Sequence, residues 1–81
     1  MATTMREITI KGEWQLIVSN VAMIQFHEDA IIRIGDISEP VVNTGFHMSG
    51  GEKHMHNSTD NVWAKTVSKR ASRVTLCEVT E

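Results

Sequence analysis

The chain has 81 residues, of which 41 % are hydrophobic, 22 % charged and 5 % aromatic, a balance that fits one small globular domain and excludes a disordered tail. Eight basic and ten acidic side chains leave a formal charge of -2, so nothing in the overall charge draws the protein to nucleic-acid phosphates or to an anionic membrane. At this size folding buries only about 60 % of the surface of the unfolded chain, which leaves a thin core and makes a stabilising partner subunit the expectation.

The first ten residues carry Arg6 and Glu7 instead of the apolar stretch of a signal peptide, and no run of 18 apolar residues occurs anywhere, so neither a secretory nor a membrane address is expected. A single cysteine, Cys77, has no partner for an internal disulfide and suits a reducing cytoplasm. Asn57-Ser58-Thr59 matches the glycosylation acceptor pattern but without a secretory route reads as a polar turn.

Val, Ile and Thr contribute eight residues each, whereas Leu occurs only at Leu16 and Leu76. β-branched side chains lose rotamer freedom in helices and pack well on pleated sheets, so this composition points to strands. Glu7 to Ile10 alternates, with Ile8 and Ile10 on one face; after Lys11-Gly12, the residues Trp14, Leu16 and Val18 share an inner face. Val21 to His27 sets Ala22, Ile24 and Phe26 against Met23, Gln25 and His27, and Ile32 and Ile34 flank Arg33 in the next strand. Asp36 to Thr44 holds the sole proline, Pro40, which cannot donate within a central strand, and reads as a loop or crossover.

Phe46 and Met48 then point together before Ser49-Gly50-Gly51-Glu52, where glycine admits the positive φ of a tight turn. Lys53 to His56 returns as a short strand. Asn57 to Asp60 is a polar connection, and Asn61 to Ser68 reads as a central strand with Val62, Ala64 and Thr66 opposed to Trp63, Lys65 and Val67. A charged turn at Lys69-Arg70-Ala71-Ser72 precedes a closing strand from Arg73 to Val79, in which Val74 and Leu76 face the same way. The pattern predicts an all-β fold, a small antiparallel β-sandwich or barrel of 7-8 short strands, as one domain over residues 1-81 with its ordered core from about Met5 to Val79.

Three of the four histidines, His47, His54 and His56, fall within one twelve-residue stretch. On a strand His54 and His56 project to one face, and in a hairpin turned at Gly50-Gly51 His47 can approach them across the ladder, offering three nitrogens to a divalent metal. The alternative is a histidine-rich solvated or interface strand. A His-x-His pair also resembles cupin metal sites, where a glutamate and a further histidine follow; here Asn57-Ser58-Thr59 follows instead. Tail-spike tips of phages use a similar pair, brought together from three chains around one ion.

No serine has a nucleophile elbow around it, Cys77 sits in an alternating strand, and the adjacent Glu28 and Asp29 fit a solvated turn, so no enzyme is expected. Lys65, Lys69, Arg70 and Arg73 make a local basic patch with only Trp63 near it to stack on a base, which reads as a solvated turn guarding a sheet edge. Trp63, together with Lys65 and Val67 on the same face, is the candidate subunit interface.

Trp14-Gln15-Leu16, Val21-Ala22-Met23-Ile24-Gln25, Ile32-Arg33-Ile34-Gly35, Thr44-Gly45-Phe46 with the Gly51-Glu52 turn, Asn61-Val62-Trp63-Ala64-Lys65 and Val74-Thr75-Leu76 follow one another in an order that resembles the short β-structured virion proteins of tailed bacteriophages. The resemblance implies a non-enzymatic structural virion protein, a capsid decoration or head-fibre or tail subunit. It would be made in the host bacterial cytoplasm, work as a symmetric homo-oligomer with a trimer favoured, contact other phage capsid or tail proteins, and need no cofactor. A carbohydrate- or receptor-binding fibre module using Trp63 and the loop from Asp36 to Thr44, and a small cupin-like metal protein using His47, His54 and His56, are the alternatives.

Overall fold

In the computed structural model, which describes residues 2–80, eight antiparallel strands form two four-stranded sheets. They are β1 (Ala2–Ile10), β2 (Gln15–Val18), β3 (Ala22–Phe26), β4 (Ala30–Ile34), β5 (Phe46–Met48), β6 (Lys53–His56), β7 (Val62–Thr66) and β8 (Ser72–Thr80). The first sheet runs β1-β8-β3-β6 and the second β2-β7-β4-β5. β1 pairs β8, β2 pairs β7, β3 pairs β6 and β4 pairs β5. These are the nested arms of one long hairpin whose tip lies between β4 and β5. Rolled over so that β3 meets β8 and β4 meets β7, the ribbon becomes a double-sheet jelly roll, the all-β sandwich that the alternation predicts.

Alternation decides what is inside. Ala22, Ile24 and Phe26 of β3, Ala30 and Ile32 of β4, Val62 and Ala64 of β7, and Val74 and Leu76 of β8 are buried between the sheets. Fully burying one such aliphatic or aromatic side chain contributes about 1.5–3 kcal/mol, so these two inner faces hold the fold together. The ribbon passes between the sheets at a corner where Thr66 N–H donates to the Lys11 carbonyl (2.7 Å). There Gly12 lies so close to Lys69 that a Cβ would stand 3.0 Å from the lysine Cβ.

Two expectations change on contact with the structure, and one left open between two readings is resolved. Trp14 and Leu16 do share a face, but it is the outer face of the second sheet, where Leu16 pairs with Trp63. A register shift between Leu16 and Val18 puts Val18 on the opposite side and lets the neighbours Ile17 and Val18 both be buried. β5 and β6 do not form a ladder: β5 is the edge of one sheet and β6 the edge of the other. The turn from Ser49 to Glu52 is tight as expected, closed by Glu52 N–H on the Ser49 carbonyl (3.0 Å) with Gly51 at φ 89°, yet it spans the gap between layers. The segment from Asp36 to Thr44 is a loop between partners β4 and β5, not a crossover.

Candidate functional site

The 35–45 loop at the hairpin tip folds back over the outer face of the second sheet, and polar side chains anchor it. Arg33 Nε and Nη2 donate to the Asp36 carboxylate (2.7 and 3.3 Å), while its Nη1 donates to the Thr44 carbonyl (2.9 Å), so one guanidinium joins both ends of the loop. That hydrogen bond holds the Asp36 carboxyl below the usual carboxylate range. Trp63 Nε1 donates to the Asp36 carbonyl (2.8 Å), which also accepts from Asn61 Nδ2 (3.1 Å). Further along, Trp14 Nε1 donates to the Val42 carbonyl (2.7 Å), Lys65 donates to Asn43 Oδ1, and the same ammonium stands 4.8 Å from the Trp14 ring centroid.

Both tryptophans and Lys65 are therefore committed to holding this loop from beneath. Trp63 and Lys65 are half-buried there, and Val67 is exposed. The loop's own apolar tips point away from that anchorage: Ile37 is 92 % and Val41 97 % exposed. Isolated exposed aliphatics need no explanation, but two nearly bare ones on a segment tied at Asp36, Val42, Asn43 and Thr44 form an apolar knob held at both ends.

The histidines separate. His54 and His56 share the inner-facing side of β6, opposite Ile24 and Ala22, with ring centroids 6.4 Å apart. His56 is buried, and its Nε2 donates to the Asp60 carbonyl (2.8 Å). A carbonyl only accepts, so that nitrogen carries hydrogen and closes the 57–60 turn. His54 is lowered from its ordinary pKa by burial first and by neighbouring His56 second. His47 lies on the other sheet beside Ile31, on the face opposite Phe46 and Met48, and so does not cross a ladder to His54 or His56. Among the described residues no group of three His, Cys, Asp or Glu side chains gathers as a metal would need. Between the sheets at this side, Ile32, Ile34, Phe46, Met48 and both His47 and His54 line a mostly apolar groove of about 380 Å³, with Phe46 66 % exposed, so these two histidines border one groove although they pair in different sheets.

One feature escaped the sequence pattern. Met5 faces Cys77, Cys77 faces Met23 and Met23 faces Met55, so a single row of four sulfur side chains crosses the whole outer face of the first sheet. Each strand's alternation signals that these side chains point outward, but the row exists only through registers joining residues far apart in sequence. His27, in the bend just after β3, places its Nε2 2.9 Å from the Thr75 hydroxyl. Comparison of the chain with protein-family models, curated proteins and solved structures gave no match.

Proposed function

We propose that this protein is a non-enzymatic structural subunit of a tailed-phage virion, a decoration or head-fibre or tail component that works as a symmetric homo-oligomer bound to other virion proteins. The observation that carries the reading is the tethered loop: Arg33, Trp14, Trp63, Asn61 and Lys65 hold its two ends through main-chain and side-chain oxygens while Ile37 and Val41 are left bare. A loop already held at both ends, and offering apolar side chains between them, docks on a protein surface at a reduced ordering cost. The resemblance of the strand succession to small virion proteins supplies the rest, and a jelly roll is an architecture that capsid proteins use.

The test is particle composition. Density-purified phage particles carrying the parent chain should contain it in stoichiometric amount by mass spectrometry, and an Ile37→Asp/Val41→Asp variant should keep the parent's circular dichroism and melting temperature but drop out of the particles. Particles that lack the parent chain, or that retain the variant in full, overturn the reading.

A further inference from the structure

A sheet edge is a row of main-chain donors and acceptors open to another chain, and proteins blunt edges with shortness, irregularity or charge. Three of the four edges here are blunted. β2 has four residues and a register shift, β5 has three, and β6 has four beginning with Lys53. β1 carries charge too, at Arg6 and Glu7, but differs from all of them in length and regularity. It is nine residues long, without glycine or proline, and pairs with β8 in unbroken register from Ala2↔Thr80 to Ile10↔Ser72. No strand lies on its other side among the described residues.

We infer that β1 is the interface between two copies of this chain, paired antiparallel to its own counterpart about a two-fold axis centred on Met5. This rests on the homo-oligomeric part of the reading above and names its surface and its symmetry, a two-fold in place of the threefold that the resemblance implied. The occupant is a second copy because an antiparallel strand pair is self-complementary: one edge meets the same edge, and the contact closes.

Charge and pleat select the register. Side chains facing each other across a ladder must lie on the same side of the sheet, which restricts the centre to a residue of β1 facing itself. Centring on Arg6 sets two guanidinium groups opposite each other, and centring on Glu7 sets two carboxylates so; both are destabilising. Centring on Thr4 or Ile8 avoids this but shortens the ladder to Ala2–Arg6 or to Arg6–Ile10. Centred on Met5, the ladder extends from Ala2 to Ile8, with Thr3 opposite Glu7 of the second copy and Thr4 opposite Arg6 of the second copy. No like charges meet. Met5, 70 % exposed in the single chain, then meets Met5 of the second copy, and the sulfur row from Met55 through Met23 and Cys77 to Met5 runs unbroken across an eight-stranded sheet. Methionine suits such a seam, being unbranched and able to fit an irregular contact.

Native mass spectrometry and sedimentation of the purified chain should give twice the 9.1 kDa chain mass. Met5→Lys places two ammonium groups at the axis and should weaken the dimer at least tenfold while leaving the circular dichroism spectrum unchanged. In a Cys77→Ser background, Met5→Cys should cross-link into a disulfide dimer under mild oxidation, because facing Cα atoms at about 4.5–5.5 Å lie within disulfide reach. A parent of one or three chains, a Met5→Lys variant that keeps the parent's mass, or a Met5→Cys/Cys77→Ser variant that stays uncross-linked overturns the β1 seam. None of these outcomes bears on whether particles contain the protein, so the two ideas fail separately.

Discussion

Arg6 and Glu78 form an ion pair on the inner side of the first sheet, and the same guanidinium donates to the Ile17 carbonyl of the second sheet (3.1 Å). One side chain thus satisfies a carboxylate whose side chain is only 11 % exposed and ties β1 to β2 across the sandwich. Asn20 adds a longer contact to the other carboxylate oxygen (3.4 Å).

Removing the arginine leaves that carboxylate poorly solvated with only Asn20 beside it. Arg6→Ala should therefore cost about 2 kcal/mol, whereas Glu78→Gln, which keeps an acceptor for the guanidinium and buries no charge, should cost less than half of that. Urea unfolding of both variants checks the order, and equal losses would show that the pair contributes little beyond packing.

Thr66 poses the opposite case. Its hydroxyl is buried without a hydrogen-bond partner among the described residues, opposite Ala30 in the second sheet. Valine has nearly the same shape and no hydroxyl to desolvate, so Thr66→Val should stabilise the fold by about 1 kcal/mol. A rise in the urea midpoint with an unchanged slope is the expected result.

Gly45 is required by space. A Cβ there would lie 2.4 Å from the Ile32 carbonyl oxygen and 2.8 Å from Ile31 Cγ2, and the first of these is backbone that cannot turn aside. Gly45→Ala should cost about 2 kcal/mol by forcing β5 away from β4. Gly50→Ala, whose Cβ would meet its nearest neighbours at 3.2 Å, should cost less, and thermal melts of the pair test the ranking.

The pH dependence follows from His54. Burial and His56 lower its pKa below 6.5 in the folded state, so the unfolded chain takes up the proton more readily. The stability that the neutral ring contributes is fully present above about pH 6.5 and is lost as pH falls through the depressed value. His54→Gln should flatten this part of the profile, seen as a smaller difference between urea midpoints at about pH 7.5 and about pH 5. An unchanged difference would assign the acid sensitivity to other groups.

The strands were legible wherever one face is apolar or nearly so: Ala22, Ile24 and Phe26, or Val62 and Ala64 followed by the β-branched Thr66, alternate without interruption, and β3 and β7 lie where that alternation puts them. Around Trp14 the same rule misled, because a register shift in β2 changes sides mid-strand and because the face that Trp14 and Leu16 occupy is covered by a loop instead of a second sheet. A two-glycine turn looks the same in sequence whether it joins paired strands or the edges of two layers, so the grouping of His47 with His54 and His56 could not be decided from spacing. The tryptophan and Lys65 anchors of the loop and the sulfur row depend on partners 20 or more positions away, beyond the reach of any local pattern.

The nested hairpin also dictates the order in which the molecule can be completed. β1 is made before the other seven strands of the described residues and its partner β8 after them, and the ion pair that joins them spans 72 positions. Until β8 arrives, β1 lacks its one strand partner among the described residues, and pairing across so long a loop makes folding slow. In a crowded polysome, neighbouring nascent chains present the same unfinished strand to one another, so the segment that would join two mature copies is also the one most exposed to premature association during synthesis.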